Sequence, residues 1–200
     1  MTVRDLGISG AWEITPDQHR DDRGLFYEWF TQREFTAVTG YRLDIHQANC
    51  SVSDTGVLRG MHFVQVPPGQ AKYVTCVRGE LFDVVVDVRV GSPTYGRWVS
   101  TTLDDRDRRS VYIADGLAHG FYALQDNTTV AYLCSTPYTP DREHTVNALD
   151  LQLAIDWPVT EDVVMSERDR AAPTLEQLRE AGVLPTWEEN QAYVAGLREG

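Results

Sequence analysis

Between residues 11 and 157 the chain runs in short β-branched and aromatic stretches cut by turn-forming clusters: DDRG, SDTG, PPGQ, VRGE, GSPTYG, DDRDRR, ADG and QDN. Strands of this length with such regular punctuation predict an all-β sandwich or barrel. In FDVVVDVR, residues 82–89, alternation puts Phe82, Val84, Val86 and Val88 on one face and Asp83, Val85, Asp87 and Arg89 on the other. The first face reads as core, the second as a surface meeting water or a cavity. HQANCS at 46–51 alternates in the same way, with Gln47, Asn49 and Ser51 opposite Ala48 and Cys50.

TQREFTAVTG at 31–40 predicts a short helix inside the β region, closed by Gly40 at its C-terminal end. After residue 160 the pattern changes. Thr174 with Gln177, and Thr186 with Glu189, fit the S/T-x-x-E/Q capping box, so two terminal helices are expected. A single domain over 1–200 follows, with a β core over about 8–160 and a helical extension over about 161–200.

Several charged or polar groups sit on the predicted strands. Arg59 and His62 in LRGMHF differ by three positions, so strict alternation sends them to opposite faces; a bulge at Gly60 would bring both to one. Lys72 opens a strand that closes with Arg78, Tyr132 lies in the apolar run VAYLC, and His119 follows the turn ADG. Taken singly, Tyr132 and His119 read as structural residues with satisfied polar atoms.

The net charge of −12 excludes a basic face for nucleic acid or an anionic membrane, so an anionic ligand must meet a local cluster of cations. Three cysteines, Cys50, Cys76 and Cys134, are odd in number, widely spaced and set in apolar runs, which reads as buried free thiols. The N-terminus has no apolar signal region and no window is long enough to span a bilayer, so a cytoplasmic protein is expected. ADGLAHGFYALQDN is similar to the second motif of cupin barrels, many of which bind a metal. Yet no H-x-H pair occurs and Ala114 stands where that motif has proline, so no metal site is expected.

Taken together, RDDRGLFYEWF, QANCS, GVLRGMHF, PPGQAKYV, VRGELFDVVVDVRVGSPTYGRW, LAHGFYAL and MSERDRAAPTL resemble the dTDP-4-dehydrorhamnose 3,5-epimerases and related deoxysugar epimerases, in order and spacing, from about residue 8 to 185. The resemblance implies a mainly β, cupin-like barrel (a double-stranded β-helix or jelly roll) with short C-terminal helices. It implies no cofactor, a dTDP-4-keto-6-deoxy sugar as substrate, and a homodimer with exchanged N-terminal strands. By matching motif, His62 would be the base, Tyr132 the acid, Asp169 the carboxylate that orients His62, and Lys72 the cation near the C4 oxygen. Arg59, His119 and Arg168 would meet the diphosphate or adjoining parts of the ligand, and Gln47, Asn49 and Glu143 would complete the pocket. Arg23, Phe26 and Glu28 would enclose the nucleotide of the partner's site.

The chemistry asks for these residue types. A 4-keto group acidifies the C–H bonds at C3 and C5, because deprotonation gives an enolate delocalised onto the C4 oxygen. Inversion needs a base on one face, a proton donor on the other and positive charge at that oxygen. Histidine ordinarily titrates near neutrality and so suits the base, with an aspartate to fix its tautomer.

The chain departs from the usual family pattern at Ala48 and Cys50, where aspartate and histidine are common, at Leu133, where lysine is frequent, and in NALDLQLAIDWP. Similar departures occur in relatives of antibiotic deoxysugar pathways. The expected reaction is therefore epimerisation at C3 and C5, or at C3 alone. A 3,4-ketoisomerase and a non-catalytic nucleotide-sugar binding protein are the alternatives.

Overall fold

The computed structural model describes residues 1–159 and 162–199; the expected boundary between core and extension, at 160–161, lies outside the described residues. The chain opens with β1 (Thr2–Asp5) and β2 (Ala11–Thr15), then β3 (His19–Asp21), β4 (Gly24–Phe26) and α1 (Gln32–Thr39). There follow β5 (Gln47–Ser53), β6 (Leu58–Val64), β7 (Lys72–Arg78), β8 (Glu80–Asp87), β9 (Trp98–Asp104), β10 (Ser110–Ile113), β11 (Leu117–Ala123) and β12 (Thr128–Cys134). β13 (Glu143–Thr145), α2 (Glu167–Arg170), α3 (Leu175–Glu180) and α4 (Trp187–Glu199) complete it.

Two antiparallel sheets form the body. One has the order β1-β2-β10-β7-β12-β5, the other β13-β6-β11-β8-β9, and β3 pairs with β4 in a separate ribbon. Neighbours in each sheet are mostly far apart in sequence, the mark of a jelly roll rather than a meander. One apolar cluster, with Val74, Leu81, Val85, Leu103, Val111 and Phe121, draws on both sheets. A second joins Val84, Val86 and Val88 to Trp157, Leu175 and Leu178 from the C-terminal third, which covers the five-stranded sheet.

The helices form where their caps predict. Thr31 accepts from the Glu34 N–H, and Gly40 closes α1 at φ 81°, a left-handed value that favours glycine. Thr174 and Gln177 complete a reciprocal capping box at α3. Thr186 does the same at α4, accepting from Glu189 N–H while the Glu189 carboxylate accepts from Thr186 N–H. α2 is an additional turn of helix that the sequence pattern did not announce, capped by Ser166. Among the described residues, no helix is long and apolar enough to cross a membrane.

Two expectations are corrected. Asp87 and Arg89 are spent on protein partners rather than turned to water: both are buried, Arg89 Nε donates to Asp87 Oδ1 at 2.8 Å and Nη1 donates to Asn190 Oδ1 at 3.0 Å, and Arg89 borders only a small cavity beside Asn190 and Ser9. The Arg89 guanidinium also lies 4.7 Å from the Trp187 ring centre, so this ion pair anchors α4 to the end of β8. Cys50 is exposed rather than buried, because it points outward from β5 at the sheet edge; Cys76 and Cys134 are buried and all three thiols are free.

Candidate active site

The space between the sheets is polar at one end. A pocket of about 160 Å³ opens there, lined by Arg59, His62, His119 and Phe121 from the five-stranded sheet and by Ser51, Lys72, Val130 and Tyr132 from the six-stranded one. His62 and Tyr132 thus approach a common space from opposite sheets.

Gly60 makes this convergence possible. His119 pairs with His62 but Phe121 pairs with Arg59, so β6 carries one residue more than β11 across this step. Gly60 has φ 116°, and a Cβ on it would lie 2.6 Å from the Gly120 Cα. Only glycine fits, and the bulge turns Arg59 and His62 into the same pocket.

His62 Nε2 lies 2.7 Å from Asp169 Oδ1. α2 presents this carboxylate, with the Asp169 N–H bonded to Ser166 Oγ at 3.0 Å. Burial pushes the Asp169 carboxyl up, but the bond and charge of His62, with help from Ser166 and the Gly60 N–H, outweigh it and hold the group below the ordinary carboxylate range. An ionised Asp169 fixes the orientation and tautomer of the His62 ring.

Lys72 is buried, and burial lowers its ammonium pKa; Glu143, Cys134 and Asp83 oppose that shift. Burial raises the Tyr132 phenol, so it stays protonated and able to donate. His119 Nε2 sits 2.7 Å from Asp83 Oδ2, a second histidine–carboxylate pair beside the first.

The other expected residues lie at varying distances from this centre. Asn49 is the cross-strand partner of Tyr132, and its Nδ2 donates to Cys134 Sγ at 3.7 Å. Gln47 Nε2 donates to Asn49 Oδ1 at 2.8 Å, and Gln47 Oε1 accepts from the Tyr138 N–H. Arg168 Nη1 donates to Glu143 Oε1 at 2.8 Å, so these two meet each other before any ligand. Arg23, Phe26 and Glu28 are exposed on or just after the β3–β4 ribbon and do not line this chain's pocket. Sequence reasoning passed over Asp83, Ser51, Phe121 and Val130 as site residues. Alternation had placed Asp83 on the charged face and Ser51 on the polar one, which was the available signal.

Among the described residues no group of three or more His, Cys, Asp or Glu side chains is placed to hold a metal ion. The arrangement can take a proton from carbon on one side and return one from the other, with an ammonium nearby for developing negative charge. That is the chemistry of a proton-transfer enzyme, carried here on a cupin-type double sheet.

The chain belongs to the dTDP-4-dehydrorhamnose 3,5-epimerase family, whose model matches residues 5–177. Its structure superposes on the rmlC epimerase of Mycobacterium tuberculosis with a TM-score of 0.98 at 58% identity, covering 99% of this chain and 100% of that one. It is 56% identical to a dTDP-4-dehydrorhamnose 3-epimerase of Streptomyces niveus, over 96% of this chain and 92% of the relative. ChmJ, a 3'-monoepimerase from Streptomyces bikiniensis solved in complex with dTDP-quinovose, gives a TM-score of 0.95 at 45% identity over 98% of both chains.

Proposed function

We propose that His62 and Tyr132 invert a dTDP-4-keto-6-deoxyhexose between them, one removing a proton from carbon and the other returning one to the opposite face. Family membership supplies the activity: the chain is a dTDP-4-keto-6-deoxyhexose 3,5- or 3-epimerase of deoxysugar biosynthesis. The observation that carries the residue roles is the placement of His62 and Tyr132 on opposite sheets around one pocket.

In this reading His62, held by Asp169, abstracts the proton at C3, and the electron pair moves onto the C4 oxygen. Lys72 meets that oxygen as charge appears on it, and in this buried setting its ammonium stabilises the enolate more than it would in water. Tyr132 then delivers its phenolic proton to C3 from the other sheet. His62 then releases its proton to solvent and Tyr132 regains one, and where C5 is also inverted the reset groups repeat the cycle on a turned ring.

Arg59 and His119 take the diphosphate side of the ligand, with Asp83 orienting His119. Asn49, paired with Tyr132 and held by Gln47, and Glu143, held by Arg168 and acting on Lys72, would meet the ligand just outside the residues that line the pocket. The site is completed in a homodimer, where the β3–β4 ribbon brings Arg23, Phe26 and Glu28 over the nucleotide of the neighbouring subunit. The exposure of Phe26, at 65%, supports this, since a large aromatic side chain left in water on a projecting ribbon suits a covered position. All of this rests on a single epimerase domain, residues 1–200.

Incubation with dTDP-4-keto-6-deoxyglucose in deuterated water, followed by NMR location of the label, tests the reaction. Deuterium at C3, alone or with C5, is expected. Absence of exchange at both carbons contradicts the proposal.

A further inference from the structure

Arg59 is exposed at the pocket mouth, on a strand bent by its neighbouring glycine, where a long side chain would ordinarily sample many rotamers. It is nevertheless tied down. Arg59 Nε donates to Ser53 Oγ at 3.0 Å, and Nη2 donates to the Val52 carbonyl at 3.2 Å. Both acceptors belong to β5, on the edge of the six-stranded sheet, whereas Arg59 belongs to β6 of the other sheet. The pair therefore bridges the two sheets at the opening.

A guanidinium has five N–H groups in a planar fork. β5 occupies the edge made by Nε and Nη2, which leaves the edge made by Nη1 and Nη2, two parallel donors of the geometry that grips two phosphate oxygens. Ser53 is only 4% exposed, so its hydroxyl is spent on Arg59 rather than offered to a ligand. We infer that Ser53 is a positioning residue for substrate binding: its hydroxyl locks the Arg59 guanidinium with its free edge toward the diphosphate of the nucleotide sugar. This rests on the reading that Arg59 meets the diphosphate. The benefit is preorganisation, because the rotamer cost of ordering Arg59 is met on folding rather than on binding.

The test uses the full chain with dTDP-4-keto-6-deoxyglucose as substrate and dTDP as a binding probe. Ser53→Ala is expected to raise KM and the dTDP Kd about five- to tenfold with kcat within about twofold of wild type, since the diphosphate is remote from the reacting carbons. Ser53→Thr, which keeps the hydroxyl, should restore most of the affinity. In an Arg59→Ala background, Ser53→Ala should add nothing, a coupling that a merely structural serine would not show. If Arg59→Ala itself leaves KM and the dTDP Kd unchanged, the assignment of Arg59 and the inference fall together. If Arg59→Ala weakens binding while Ser53→Ala does not, or weakens it equally in both backgrounds, the role of Ser53 is overturned and that of Arg59 stands.

Discussion

The His62 ring and the Asp169 carboxylate, 107 positions apart in the chain, meet at 2.7 Å. The contact joins β6 to α2, and the Ser166 cap sets the angle at which Asp169 is offered. Asp169→Asn keeps the shape but loses the carboxylate that fixes the tautomer of His62. kcat should fall about a thousandfold, while KM moves little because Asp169 does not line the pocket. Steady-state kinetics on folded variant protein reads both quantities.

Lys72 is expected to trade stability against activity. Its burial costs free energy in the absence of ligand, so Lys72→Met should leave the melting temperature unchanged or raise it, by about 1 kcal/mol in stability. If Lys72 meets the enolate oxygen as proposed, the same change should lower kcat about a hundredfold. Calorimetry and initial rates on one preparation give the two numbers.

Asp115 gives a pH signature remote from the chemistry. Its side chain is buried, its Oδ1 has no hydrogen-bond partner among the described residues, and burial pushes the carboxyl up from 3.8 to about 7. Between those values the unfolded chain releases the proton and the folded chain keeps it. The associated stability is therefore complete below 3.8 and is lost as pH rises through about 7. Asp115→Asn should escape that loss, and its stability relative to wild type should be about 3 kcal/mol greater at about pH 8 than at about pH 5. Denaturant melts of both proteins across this range measure the difference.

The proposed sharing of the site between subunits predicts complementation. Arg23→Ala should raise KM about tenfold with kcat within a few-fold of wild type, because contacts to the nucleotide stabilise ground and transition states alike. Mixing Arg23→Ala subunits with His62→Ala subunits creates dimers with one site intact in both groups and one lacking both. Part of the lost efficiency should return on mixing; mixed dimers that regain none of it would contradict the exchange.

Much of the architecture was legible because alternation and capping are local. The face of Val84, Val86 and Val88, the bounds of α1 and the caps of α3 and α4 follow from spacing alone. The bulge at Gly60 was legible from the same local logic, since two polar residues at odd spacing flank a glycine. What could not be read was which charged strand positions look into the pocket. Asp83, Asp87 and Arg89 share a pattern, yet Asp83 serves His119, Asp87 is taken up by Arg89, Ser92 and Thr94, and Arg89 is tied to Asn190 of α4, 101 positions away. α2 escaped notice because four residues carry too little periodicity to register.

The proposed division of labour between His62 and Tyr132 is tested most directly by following deuterium uptake and inversion together, in deuterated water, for His62→Ala and Tyr132→Phe. His62→Ala should show neither, because no enolate forms. Tyr132→Phe should still exchange the C3 proton while inversion falls about a hundredfold, because the base remains and the opposite-face donor is gone. Wild-type exchange in His62→Ala would contradict the assignment of His62 as the base.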